Sequence, residues 1–487
     1  MRNAMASSTS FVVGIDQNPC GTAAWRLDAD GTLLRLFAQE HRQFYPQAGW
    51  VEHDALEILE RMRGALDSSA GAAGVALSNQ GETVVAWNAE TGDPLYNALV
   101  WHDTRTAGVV DRLREDGAEV LLLERAGLPL DAYNAAAKLR WFIDHVPEAR
   151  ALSRRGKLRL GTLDSLLLDR LCGTHATDVA TASRTGLMNL ATAAWDPELC
   201  RLFGVPRDCL PAIRPNVFAF GSHAHGNVPV VGSIADRQAA LLGHGCHRRG
   251  QVALTFGAAA YGLAVTGGPP PIPPGSGLLP TVAWQLGPAI DYAVDAGVNN
   301  ADSALNWARR LGLYTALAEL DQFEGPTALS RGLVFVPALT GLAAPYWDRD
   351  AAGLWLGMGL ETGPRDLLRS ILEGIGLRCA QALQAMADAV ALADEVSIDG
   401  MLSRSRYFRG FLADALDRTV VAPEQPALVA LGAARLAWLG AGLGTLDTLP
   451  PQRPEPSRVT PRAPLTGDLH TRFADAVQRA RHWPAAA

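Results

Sequence analysis

From Phe11 to Asn88 the apolar positions come in short runs closed by polar residues, a pattern of strands interrupted by one longer periodic stretch. Phe11–Ile15 is an unbroken apolar run ending on Asp16. Thr22–Leu27 and Thr32–Gln39 follow, with an Asp30-Gly31 turn between them. After the polar loop YPQAGWVEH, Asp54 and Glu57 stand three residues apart, as in a capping box, and predict a helix running to about Ser69. Gly74–Leu77 and Thr83–Asn88 are predicted strands on either side of the loop SNQGE. ETGDP is a turn by its Gly and Pro. Helices are predicted over roughly Thr106–Arg125 and Ala135–Asp144. Strands that precede helices and carry polar residues at their ends predict an α/β fold.

A second start lies near Gln251. QVALTFGAAAYGLAV is again strand, Gly turn and strand, and it echoes Phe11–Leu27, which predicts an internal duplication of the fold. GGPPPIPPGSG (267–277) reads as an extended, exposed loop. VFVPAL, a helix over Pro364–Met386, the strand EVSIDG and a helix over Arg406–Leu416 complete this half. The Pro-rich stretch 449–464 reads as an irregular tail, and a last amphipathic helix is predicted from Gly467 to His482. The expected domains are 1–248 and 249–487, with a ligand cleft between them.

Composition narrows the functional classes. The 487 residues are 48% hydrophobic and 19% charged, which suits soluble domains with large cores. A formal charge of −7 and a pI near 5.9 argue against a nucleic-acid-binding surface. The six cysteines are scattered without a CxxC pair, which predicts a reduced, cytoplasmic setting. No apolar run of about 18 residues appears, so no membrane span is expected. The start MRNAMASSTS lacks the apolar core of a signal peptide. The pairs His223/His225 and His244/His247 have no Cys or carboxylate cluster beside them and read as loop histidines. Cys20 reads as a plain small residue.

Nine segments, in order over nearly the whole chain, carry a resemblance: GIDQ, FYPQAGWVEHDALEI, ALSNQGETVVAWNAETGDPLYNALVWHDTRT, GLPLDAYNAAAKLRWFID, GTLDSLLLDRLCG, TDVATASRTGLMNL, VPVVGSIADRQAALLGHGC, FVPALTGLAAPYWDRDAAGLWLGM and RDLLRSILEGIGLR. The chain resembles the FGGY carbohydrate kinases, most of all the glycerol kinases among them. The resemblance implies two actin-like (ribonuclease-H-like) ATPase domains, an N-terminal one on the acceptor side and a C-terminal one on the nucleotide side. It implies ATP and Mg²⁺ as cofactors and a small polyol or sugar as partner, and dimers or tetramers are frequent among such proteins.

Residue by residue, the resemblance makes Asp236 the catalytic base, with a helix N-cap as the alternative role. Glu82, Trp101, Tyr133 and Asp236 fall where the polyol binds. Core packing is the alternative for the two aromatics. Gly81 stands where the family has an Arg, and Arg237 where it has a Gln. His102, Asp103 or Arg237 are the candidates to fill the space left at Gly81. Asp16 is the residue for Mg²⁺. Asn18, Gly21, Thr255, Gly257, Ala258, Gly400 and Met401 fall at the nucleotide. There the chain departs from the family's pattern: Asn18-Pro19-Cys20, Gly257-Ala258-Ala259 and Gly400-Met401 replace loops richer in glycine and hydroxyls. Proline lacks an N–H, and each lost donor costs about 1–3 kcal/mol where its site stays buried. The implied activity is ATP-dependent phosphorylation of a polyol or sugar hydroxyl. The altered loops keep open a second reading, a degenerate kinase that holds a polyhydroxy ligand without phosphoryl transfer.

Overall fold

The run Val12–Ile15 forms a strand buried on both faces, because it lies in the middle of a sheet and not at its edge. This strand, β1 (Val12–Asn18), turns directly into β2 (Gly21–Leu27) and then β3 (Leu33–Glu40), an antiparallel meander. On its other side β1 pairs in parallel with β4 (Val75–Asn79). The strands β5 (Val217–His223) and β6 (Val228–Ala235) complete a six-stranded sheet in the order β5-β6-β4-β1-β2-β3, with β6 parallel to β4. The computed structural model describes residues 10–223, 227–272, 275–481 and 483. Residues 1–9 of the polar start, His225, residues 273–274 of the Pro/Gly loop and His482 lie outside the described residues.

The second start does repeat the first. β7 (Val252–Phe256) makes a hairpin with β8 (Ala260–Gly267). The strands β9 (Leu279–Trp284), β10 (Asp291–Val298), β11 (Glu395–Gly400), β12 (Thr419–Ala422) and β13 (Ser457–Val459) follow. The order is β9-β10-β8-β7-β11-β12-β13, with β7, β11 and β12 parallel. With β5, β9 and β13 left aside, the two sheets share one succession, β3-β2-β1-β4-β6 in the first and β10-β8-β7-β11-β12 in the second. The edge strand β13 comes from the stretch expected to be an irregular tail; pairing with β12 gives its backbone partners that a free tail would lack.

The chain folds into two compact units that are not contiguous in sequence. One holds residues 1–245, 281–292 and 425–453, the other 246–280, 293–424 and 454–487. The chain first leaves the first unit between Gly245 and Cys246 but re-enters it twice, so no single cut separates the two. In the first unit, α1 (Ala55–Asp67) is capped by Asp54, whose carboxylate accepts from the Leu56 and Glu57 N–H groups, while Glu57 turns to Arg42 and Arg61. The helix expected over Thr106–Arg125 is two helices, Ala107–Glu115 and Glu119–Ala126, parted at Gly117 in the left-handed region. Further on come α2 (Ala135–His145), the short α3 (Val179–Ser183), α4 (Asp236–Gly243) and α5 (Leu428–Gly440). In the second unit the 26-residue helix Pro364–Ala389 and the helix Arg406–Leu416 build the core. No helix among the described residues is long and apolar enough to cross a membrane.

Helix α5 determines how the first sheet is covered. Its sequence, LVALGAARLAWLG, is apolar all round and almost wholly buried. It lies so close to β1 that a Cβ on Gly14 would stand 2.1 Å from the Ala430 carbonyl oxygen. Against α4 the approach is closer still: a Cβ on Gly432 would meet the Ala239 oxygen at 1.7 Å, and one on Gly243 the Leu428 oxygen at 2.0 Å. Gly432→Ala should therefore lower the apparent melting temperature by the equivalent of about 1–3 kcal/mol or more, as overpacking does. Gly410→Ala, on a helix where an added Cβ meets nothing within 4 Å, should leave it unchanged or raise it. Equal melting temperatures for Gly432→Ala and the parent would refute the close helix packing.

Candidate active site

Three parallel neighbours, β1, β4 and β6, deliver three acidic residues from their carboxyl ends, where open α/β sheets bind ligands. Asp16 lies near the end of β1 and is in register with Ser78 of β4. Glu82 follows β4 by a short turn. Asp236 follows the last residue of β6, Ala235, which is in register with Asn79. Asp236 is the first residue of α4; the cap position belongs to Ala235, so the carboxylate is not the helix cap. Its Oδ1 accepts from the Arg237 N–H at 2.7 Å. Burial pushes the Asp236 carboxyl up to about 7. The negative charges of Glu82 and Asp16 push the same way, against the pull of Arg237.

Glu82 is buried and paired. Its Oε1 accepts from Arg184 Nε at 2.8 Å, and Arg184 is itself 5% exposed. Arg184 ends α3, whose start is fixed by Asp178 accepting from Thr181 N–H and Oγ1 at 2.8 and 2.7 Å. At Gly81 an added Cβ would find Ala235 Cβ at 3.4 Å and the Arg184 side-chain stem at 3.8 Å. A guanidinium thus accompanies Glu82 after all, from position 184. The residues proposed for that space each have partners of their own. Asp103 is fully buried and accepts from the Val51 N–H and from both Nε and Nη2 of Arg105. Arg237 acts on Asp236. The ring of His102 lies against Trp101, centroids 4.6 Å apart. Arg184 was within the segment TDVATASRTGLMNL, and the signal for it was an arginine amid small and apolar residues.

The aromatic pair comes together. Trp101 and Tyr133 meet edge to face, centroids 5.6 Å apart at 73°. A chain of hydrogen bonds joins this wall to β1: Trp101 N–H donates to Thr83 Oγ1 (3.1 Å), Thr83 Oγ1 to Gln80 Oε1 (2.8 Å), and Gln80 Nε2 to Gln17 Oε1 (3.2 Å).

Beside it, the hairpin Asn18-Pro19-Cys20-Gly21 closes on itself. Asn18 Oδ1 accepts from Cys20 N–H (2.9 Å) and Gly21 N–H (3.2 Å), and Asn18 Nδ2 donates to Asp16 Oδ2 (3.0 Å). Asp16 Oδ1 is buried without a hydrogen-bond partner, and burial pushes this carboxyl up to about 6. An orphaned carboxylate oxygen of this kind suits a cation or a metal-bound water.

The remaining predicted residues gather in the second unit, at the carboxyl ends of β7 and β11. Thr255 is in register with Asp399, and Phe256 with Gly400, so the loops after the two strands are neighbours. Gly257 and Ala258 are tied to the helix Asp302–Arg310: the Gly257 oxygen accepts from Asp302 N–H, and the Ala258 oxygen from Ala301 N–H and Ser303 Oγ. Gly400 is left-handed, and a Cβ there would lie 1.9 Å from the Phe256 oxygen, so glycine is required. Met401 leads into the turn Leu402–Arg404. Among the described residues no group of three His, Cys, Asp or Glu side chains is arranged to hold a metal, and all six cysteines are free thiols.

The model of the FGGY family of carbohydrate kinases, N-terminal domain, matches residues 11–243, and that of its C-terminal domain residues 263–441. A glycerol kinase of Geobacter sp. (strain M21) is 36% identical over 97% of this chain and 99% of its own length. The chain belongs to the FGGY family. Another glycerol kinase, from Citrifermentans bemidjiense, is 38% identical over 90% of this kinase and 91% of itself. Among solved structures, Plasmodium falciparum glycerol kinase with ADP superimposes with a TM-score of 0.89 at 25% identity, covering 97% of this chain and 98% of that one. The FGGY kinase described here accordingly uses ATP to phosphorylate a hydroxyl of a polyol or sugar, and its two sheets have the ribonuclease-H-like order of that fold.

The charge arrangement around Asp236 is testable. Glu82→Gln removes a like charge and leaves Arg184 without its carboxylate, so the Asp236 titration midpoint should fall by roughly one unit. Carbon-13 NMR of labelled aspartate, assigned by Asp236→Asn, measures it. An unmoved midpoint would show that Glu82 does not act on Asp236.

Proposed function

We propose that this kinase transfers the γ-phosphoryl group of ATP to a terminal hydroxyl of a small polyol, with Asp236 as general base. The observation that carries the reading is Asp236 itself: an acid that ionises near neutrality, set beside the buried Glu82–Arg184 pair. As the acceptor oxygen bonds to phosphorus and the bond to the ADP oxygen breaks, the hydroxyl proton passes to an Asp236 oxygen. Glu82 accepts from the polyol's other hydroxyls, and the rings of Trp101 and Tyr133 cover its carbon chain. Arg237, next to the base, favours its ionised form against the effect of burial. Glycerol is the acceptor in the names of the curated relatives and the first candidate here.

On the nucleotide side, Asn18 and Gly21 border the phosphates, and the residues Thr255, Gly257, Ala258, Gly400 and Met401 serve the rest of the nucleotide. When bound, Mg²⁺ neutralises charge on the β- and γ-phosphates. Asp16, with its orphaned Oδ1, is the residue that would hold it, through water. On this reading the acceptor residues lie within 1–248, as do Asp16, Asn18 and Gly21 for the phosphates, and the other nucleotide residues lie within 249–487. The alternative of a ligand-holding protein without phosphoryl transfer has no observation in its favour.

Two measurements test this. With glycerol, erythritol, ribitol and xylitol as acceptors, ATP turnover should appear with at least one, and Asp236→Asn should reduce kcat about 10²–10⁴-fold. Because the base must be ionised, kcat/KM in the parent should fall tenfold per pH unit below about 7. No turnover with any of the four, or an Asp236→Asn enzyme as fast as the parent, would refute the proposal. At the hairpin, Asn18→Ala frees the Cys20 and Gly21 N–H groups, and the KM for ATP should drop severalfold. A rise would show instead that the Asn18 amide is itself a nucleotide ligand.

A further inference from the structure

Of the 43 basic residues, all but two are arginine; the exceptions are Lys138 and Lys157. Lys157 is an ordinary surface residue, 43% exposed and paired with Glu90 at 2.7 Å. Lys138 is fully buried on α2, between Ala137 and Leu139. A cation with no solvent is costly unless its surroundings compensate it. Here they do so in a particular way. Lys138 Nζ donates to the Trp101 carbonyl oxygen at 3.0 Å and to the Tyr133 carbonyl oxygen at 2.7 Å. The carboxylates of Glu82, Asp103 and Asp131 favour its charge, Arg105 opposes it, and burial brings its pKa down to about 7.

These two carbonyls belong to the two aromatic residues of the acceptor wall. Trp101 follows the strand Ala98–Leu99, and Tyr133 lies in the turn before α2. They come from separate elements, and Lys138 Nζ is hydrogen-bonded to the main chain of both. Trp101 has a second anchor, its own N–H on Thr83 Oγ1. A tetrahedral ammonium can direct two N–H bonds from one atom to two converging carbonyls. A planar guanidinium spreads its donors over a fork several ångströms wide and needs more room than a fully buried position offers. This accounts for a lysine at 138 in a chain that otherwise uses arginine.

We propose that Lys138 is a positioning residue of the acceptor site: it ties the backbones at Trp101 and Tyr133 together and so holds the two rings as one wall, without touching substrate. The inference rests on the reading of Trp101 and Tyr133 as acceptor-binding residues. Lys138→Met keeps the side-chain length and removes the donors. The KM for the acceptor should rise at least tenfold, with the KM for ATP within twofold and kcat within threefold of the parent. Lys138→Arg should not restore it. A lowered melting temperature with unchanged acceptor KM and unchanged hydrogen exchange around Trp101 and Tyr133 would overturn the proposal and leave Lys138 a purely structural residue.

Should Lys138→Met not fold, Lys138→Gln, whose amide is a neutral and shorter donor, is read the same way with an intermediate rise in acceptor KM expected. Hydrogen exchange by mass spectrometry tests the clamp without any substrate. Peptides carrying Trp101 and Tyr133 should exchange faster in the variant while those of β1 and α5 do not. Unchanged exchange in both peptides overturns the proposal whatever the acceptor is. Faster exchange together with an acceptor KM that does not move upholds the clamp and refutes instead the placing of the polyol against these rings.

Discussion

Three carboxylates, Asp16, Glu82 and Asp236, leave the ends of three adjacent parallel strands, and their burial there is the constraint the first unit has to meet. Each is handled differently. Glu82 takes a buried guanidinium from a helix that follows it by a hundred residues of chain. Asp16 takes only a neutral amide, from Asn18, and keeps one oxygen unsatisfied. Asp236 takes a backbone N–H and the nearby charge of Arg237, which offset burial only in part. Similar residues are thereby made unlike: one paired with a guanidinium, one left with an orphaned oxygen and one acid near neutrality. Separation of pKa values by environment is the general means by which paired carboxylates acquire separate roles.

Much of the framework was legible from the amino-acid order. The hairpins at Val12–Leu27 and Val252–Gly267 announce themselves by apolar runs on either side of a tight turn, and the repeat of strand order follows from that duplication. Asp54 is a cap as its position suggests. The break at Gly117 was missed because apolar positions continue on both sides of Asp116-Gly117, a turn dipeptide whose glycine is left-handed. The strand Ser457–Val459 was missed because its partner lies far along the chain and its own composition is that of a loop.

The site was half legible. Asp16, Glu82 and Asp236 stand in recognisable segments, and the glycine at 400 is demanded by a carbonyl 1.9 Å from where its Cβ would be. Arg184 and Lys138 were not found, since both act through contacts between segments: one on Glu82, the other on the carbonyls of Trp101 and Tyr133. Backbone acceptors leave no trace in side-chain identity. The scarcity of lysine was the one hint available, and it lies in what the composition omits.

The return of residues 425–453 to the first unit has a consequence for how this polypeptide can be made. A ribosome that has finished residues 1–245 has made every strand of the first sheet, yet β1 and α4 still present the glycine-lined faces that α5 will cover. Until translation has passed Gly440, those faces stay open to water or to a chaperone. The first unit gains this cover only when residues 425–453 have been made, long after its last strand.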